Sequence, residues 1–169
     1  MIQKKLTRQD LLFHPVHGLC RIDEITKQDR AGTGVLCYSL VPKVKTPMQV
    51  RFVIAAPDME ASGFHKVISA KTAHKILRYL KTGDNLPHTT DQTWALAQNI
   101  RSFSKDKMKM KDQRKRQRLE VSVKGLVAEL AWTFKTPLKA TAQRIQKNMD
   151  SNSRRNPLVL AAFSHAAEP

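Results

Sequence analysis

An α+β protein is predicted, with a small twisted β-barrel in the N-terminal half and an all-helical C-terminal half. Three observations predict it. Residues 10 to 68 hold alternating and β-branched runs separated by turn signals. A polar stretch, GDNLPHTT (83–90), then breaks the pattern. Beyond it every apolar pattern has the helical period. The expected organisation is a barrel domain with a closing helix over 1–82, a linker over 83–91, and a helical domain over 92–169.

The strands follow in order. LCRIDEIT (19–26) places Cys20 and Ile22 on one face, and GVLCYSLV (34–41) is rich in β-formers. MQVRFVI alternates from Met48: Met48, Val50, Phe52 and Ile54 point one way, Gln49, Arg51 and Val53 the other. Turns at 15–18, 29–34, 42–47 and 57–63 carry Pro, Gly and Asp. Several short strands joined this way suggest a barrel. KTAHKILRYLK (71–81) closes the half as a helix, with Ala73, Ile76, Leu77 and Leu80 as its stripe and Gly83 as its stop.

In the second half, Asp91 can cap a helix from Gln92. At ~100° per residue, Leu96, Ile100 and Phe103 share a face and Trp94 falls opposite, beside Ala97, Gln98, Arg101 and Lys105. VSVKGLVAELAWTF, from 121, is apolar on two sides and so central to a bundle. Val123, Leu126, Leu130 and Phe134 make one side with Leu119; Val121, Gly125, Ala128 and Trp132 make the other, with Trp132 expected in the core. Thr136 and Pro137, then Asn156 and Pro157, open two further helices.

The chain has 30 Lys and Arg against 14 Asp and Glu, a net charge of +16, which favours polyanionic partners, nucleic acid first. RSFSKDKMKMKDQRKRQR (101–118) concentrates this charge: Arg101, Lys105, Lys107, Lys109, Lys111, Arg114, Lys115, Arg116 and Arg118 against Asp106 and Asp112. Trp94 then has two readings. It docks on the strand half, or it is an outward wedge among cations that enters a minor groove or stacks on a base. With the basic run beside it, the wedge is the expectation. Base-reading motifs are missing, so little sequence readout is expected.

His14, His17 and Cys20, with Cys37, have metal-like spacing. Strand alternation would scatter them over two faces, so no metal and no cofactor are expected. No Walker loop, HExxH or nucleophile elbow is present, and the acids form no convincing pair, so a non-catalytic protein is expected. Two cysteines make no disulfide framework, which suits a reducing compartment. The N-terminus lacks a signal-peptide run, and LVLAAF (158–163) is too short to span a bilayer. A cytoplasmic, nucleoid-associated monomer is expected.

DLLFHPVHGLCRIDEI resembles the opening of the CarD family (CarD and CdnL), a pattern like G-D-x-V-V-Y-P-x-H-G-x-G-x-I shared with the polymerase-binding module of transcription-repair coupling factors. Tyr38-Ser39-Leu40, the strand MQVRFVI, the helix ending at Lys81, a tryptophan after the linker and GLVAELAW continue the resemblance. It implies a Tudor-like N-terminal domain that binds the RNA polymerase β subunit. It also implies a helical domain on promoter DNA at the upstream edge of the bubble, with Trp94 as minor-groove wedge stabilising the open complex. Arg51 takes the place of a family arginine that contacts the β subunit; Lys27, Gln28 and Arg30 compete for a second basic contact. Trp94, Arg101, Lys105, Lys107, Lys109, Arg114 and Arg116 are the expected DNA contacts. Gln9 stands where the family carries Gly, and Lys105 to Arg116 looks expanded. The alternative is a general basic DNA- or RNA-binding protein with no polymerase contact.

Overall fold

A computed structural model describes residues 6–30, 32–44, 50–84, 91–105 and 112–168. Its contacts group into two compact units, Met1–Val67 and Ile68–Pro169. The strands are N-terminal and the helices C-terminal, as the patterning requires.

The first unit is a five-stranded antiparallel sheet: β1 (Leu11–His14), β2 (Gly18–Arg30), β3 (Thr33–Pro42), β4 (Phe52–Ala55) and β5 (His65–Lys66), in the order β4-β3-β2-β1-β5. Gly18, at φ 69, supplies the left-handed residue that the tight β1–β2 turn needs. Leu12, Cys20, Ile22, Tyr38, Leu40 and Phe64 form the core. Phe52 and Ile54 pack against it while Val53 is 53% exposed, so the alternation holds within β4. Val50, expected on the inner face, precedes the strand and is 40% exposed. Met48 and Gln49 lie outside the described residues.

The expected barrel is not closed. Among the described residues β4 and β5 are edges with no ladder between them. Rings bridge the gap instead: Phe52 and Phe64 approach to 5.6 Å between centroids, and His17 lies 4.4 Å from Phe52. Side-chain packing thus completes a curl that β5, only two residues long, is too short to complete by backbone pairing.

The second unit holds α1 (Ala70–Thr82), α2 (Gln92–Lys105), α3 (Gln113–Phe134), α4 (Leu138–Lys147), α5 (Ser151–Arg155) and α6 (Pro157–Ala166). Ser69 caps α1 by accepting from the Thr72 amide at 3.2 Å, and Gly83 ends it at φ 81, its amide donating to Tyr79 O at 2.8 Å. Ala73, Ile76, Leu77 and Leu80 are buried, as their spacing requires. Asn156 caps α6 by accepting from the Leu158 and Val159 amides, with Pro157 in the first turn. At α4 the cap falls on Pro137 rather than Thr136, whose hydroxyl meets that of Thr141 at 2.7 Å. α3 is central, packing on α1, α2, α4 and α6.

α3 begins at Gln113, where Asp112 caps it through the Lys115 amide at 3.2 Å, and Leu119 is buried on it with Val123, Leu126 and Leu130. One boundary moves: α1, expected to close the strand half, belongs to the helical unit. The reason is a clamp on Ile68. Glu129 Oε1 accepts from the Ile68 amide at 3.2 Å, and the Thr133 hydroxyl donates to Ile68 O at 3.4 Å. Both backbone groups of the residue leading into α1 are thereby satisfied by α3. Among the described residues no helix is long and apolar enough to cross a membrane.

Candidate nucleic-acid interface

Trp94 is not exposed. It is 3% accessible, and its ring meets that of Tyr79 edge-on at 5.7 Å and 66°. The expected wedge is therefore a core residue, joining the other reading in being buried but not in its partner: the ring packs on α1 within the helical unit. Leu96, Ile100 and Phe103 are buried on the opposite side, as the helical period requires. α2 is nevertheless covered on two sides, by α3 and by α1. Ala97, one turn on from Trp94, is fully buried too.

Arg101, expected on DNA, shares the Trp94 sector and is used inside the unit. Its Nη1 donates to Tyr79 O at 3.0 Å and Leu80 O at 2.9 Å, and pairs with Asp150 Oδ2 at 3.6 Å. The guanidinium lies over the Tyr79 ring, 5.6 Å from its centroid. It satisfies carbonyls at the end of α1, where a helix leaves acceptors unpaired and carries partial negative charge. A Cβ on Gly83 would collide with it. Burial pushes the Tyr79 phenol up, and Arg101 opposes that shift.

The remaining expected DNA contacts divide. Lys107, Lys109 and Lys111 lie outside the described residues, as does the side chain of Lys105 in the last turn of α2. Arg114, Lys115, Arg116 and Arg118 are exposed on the first two turns of α3. Arg118 also donates to Asn99 Oδ1 at 3.1 Å, which ties that end of α3 to α2. The basic stretch from 113 is therefore carried on a helix.

Further along α3, Trp132, expected in the core, is 42% exposed. It lines an open cavity of about 650 Å³ with Ala128, Ala131, Lys135, Pro137 and Leu138. The corner that forms this cavity follows from the backbone. Lys135 takes a left-handed conformation, φ 53, and the Thr136 amide donates to Ala131 O at 3.0 Å. The chain then turns so that Pro137 and Leu138 face the indole. A signal for the exposure was present in the sequence: at 100° per residue Arg114 falls at the angle of Trp132, with Lys124 about 80° to one side. Both are exposed.

In the strand unit, Arg51 is half exposed and engaged by acids on β2. Its Nη2 lies 3.1 Å from Asp23 Oδ2 and its Nη1 3.6 Å from Glu24 Oε2, and it donates to Ser39 Oγ at 3.2 Å. Asp23 sits in a bulge, where the β2–β3 register slips between Ile22 and Glu24, and bulges re-aim side chains in this way. Lys27 is exposed on β2; the side chain of Arg30 lies outside the described ones.

His14 and His17 stack at 4.5 Å in the β1–β2 turn, but Cys20 and Cys37 do not join them in a cluster. Cys20 pairs with Pro42 and Cys37 with Thr26, five residues apart along β3. Among the described residues no group of three or more His, Cys, Asp or Glu is placed to hold a metal ion. Burial pushes the Cys20 thiol up to about 11, which disfavours the thiolate that a metal needs.

His14 instead stabilises the turn. Its Nδ1 accepts from the Val16 and His17 amides at 3.1 and 3.2 Å, so the neutral ring carries its proton on Nε2. Burial, then His17 and His65, hold its pKa below the ordinary imidazole value, against a bond with the Ser62 backbone. A depressed folded pKa means the unfolded chain takes up the proton first. The strand unit should therefore keep its full stability above about pH 6.5 and lose it as pH falls below that value. Urea unfolding of the full chain between pH 7.5 and 5, followed by strand circular dichroism, checks this. His14→Gln should flatten the slope.

No family model matches the chain, and no curated protein matches it significantly.

Proposed function

We propose that the chain is a non-catalytic transcription regulator of the CarD type. The strand unit, Tudor-like in its curl, docks on the RNA polymerase β subunit; the helical unit lies on promoter DNA at the upstream edge of the bubble and stabilises the open complex. One observation carries the DNA half: Arg114, Lys115, Arg116 and Arg118 stand exposed on the first two turns of α3, in a chain of net charge +16. Such an array neutralises phosphates without reading sequence. Trp94 has no part in this reading, because its ring is in the core.

Gln9 supports the family assignment. It holds φ 73, a conformation that favours glycine, at the position where the resemblance places Gly. Its amide donates to Ile22 O at 2.9 Å, and Asp10 O accepts from the Ile22 amide at 2.9 Å, so the turn geometry persists without the glycine. Tethering by one unit raises the local concentration of DNA for the other, so each contact can be weak.

A second reading is a general basic DNA- or RNA-binding protein with no polymerase contact. The pairing of Arg51 with Asp23 and Glu24 favours it, since the arginine expected on the β subunit already has acidic partners. One experiment separates the two: retention of purified β subunit and of duplex DNA on the immobilised full chain. The regulator should hold both. With about six cations on phosphates, log affinity for DNA against log salt should have a slope near −5. Retention of DNA without the β subunit selects the second reading; retention of neither removes both.

A further inference from the structure

Stacking surface, cation and groove meet at the α3–α4 corner. Trp132 is the large aromatic ring left exposed there, and it opens onto a cavity walled by Ala128, Pro137 and Leu138. Lys135 stands on the rim. This lysine sits at φ 53, a backbone conformation that glycine adopts without strain and that a side chain rarely does. A cation is thus held beside the indole at a position where local energetics favour glycine.

The same sector of α3 continues to the basic turns. Val121, Ala128 and Trp132 form a partly exposed line with Lys124 beside it, and Arg114 is eighteen residues before Trp132, at the same angle. At 1.5 Å per residue that line is about 27 Å long. An apolar groove that receives a protein helix needs a run of apolar anchors at helical spacing. Here the one large anchor is an aromatic platform, and cations stand at both ends of the line and beside it, the arrangement that suits a strand of phosphates with an unstacked base.

We propose that the α3–α4 corner is a stacking subsite for single-stranded DNA. An unpaired base lies against Trp132 in the cavity, Lys135 holds its phosphate, and the strand runs along α3 toward Arg118 and Arg114. This rests on the DNA-binding reading above and adds to it a preference for melted over duplex DNA. The free energy for that preference comes from the indole face, which duplex DNA with stacked bases cannot use.

The test measures binding of the full chain to a dT oligonucleotide, a dT:dA duplex of equal length, an rU oligonucleotide and an acidic amphipathic peptide. Trp132→Ala should weaken dT binding by roughly five- to a hundredfold and change duplex binding less than twofold. Lys135→Gly removes the cation and relieves the backbone, so it should weaken dT binding while leaving thermal stability unchanged or raised. Duplex binding with dT affinity untouched by either variant would overturn the subsite but leave the DNA-binding reading standing. Binding of neither DNA would remove that reading and the subsite with it. A Trp132-dependent preference for rU over dT, or for the peptide over both, would overturn the assignment to DNA.

Discussion

Trp94→Ala should unfold the helical unit or bring it close to unfolding. The ring is 3% exposed against Tyr79, and truncating a buried tryptophan costs about 3–5 kcal/mol. Domain stabilities are of the order of 5–15 kcal/mol, so the loss is a large share of the total. Thermal and urea unfolding of the full chain measure it directly. Trp94→Phe keeps a ring against Tyr79 and should lose much less. Any DNA-binding defect of the alanine variant should scale with its unfolded fraction. A stable, folded Trp94→Ala chain that had lost only its DNA activity would instead restore the exposed wedge and contradict the packing described here.

Glu129→Ala should have a comparable effect, through polar groups rather than a cavity alone. Glu129 is fully buried in the C-terminal third of α3. Oε1 accepts from the Ile68 amide at 3.2 Å and Oε2 from the Thr93 hydroxyl at 2.9 Å. One side chain thus ties the entry to α1 and the first turn of α2 onto α3. Its removal strands two buried donors, each worth about 1–3 kcal/mol when unsatisfied. A total loss of about 2–6 kcal/mol is expected from the same terms. Glu129→Gln keeps the volume and one acceptor oxygen, so it should fall between alanine and wild type. Thr93→Val removes one of the donors, so its cost should be smaller in the Glu129→Ala background than alone, and a double-mutant cycle measures that coupling. Additive losses would show that the two side chains do not share a bond.

The two tryptophans show how far the sequence reaches. Helical period assigned angles correctly: Trp94 does lie opposite Leu96, Ile100 and Phe103, and Trp132 does lie opposite Leu130 and Val123. It could not say which sectors other helices would cover. α2 is covered on two sides and α3 leaves one sector open, so the exposures of the two tryptophans are the reverse of those expected. Arg101 and Arg51 were legible as charges. Their partners were not, because Tyr79 O and Asp23 are 22 and 28 residues away.

By itself the sequence determined what is local. It set the order of strands before helices, the alternation of Phe52, Val53 and Ile54, the starts of α2 at Asp91 and α6 at Asn156, and the stop of α1 at Gly83. Those features depend on side chains and backbone within a turn of one another, where stereochemistry acts directly. Only the tertiary structure decided that α1 belongs with the helices, that the sheet stays open, and that Trp132 rather than Trp94 faces outward. Each of those outcomes is a choice of partner between segments distant in the chain, and periodicity records a face without recording what covers it.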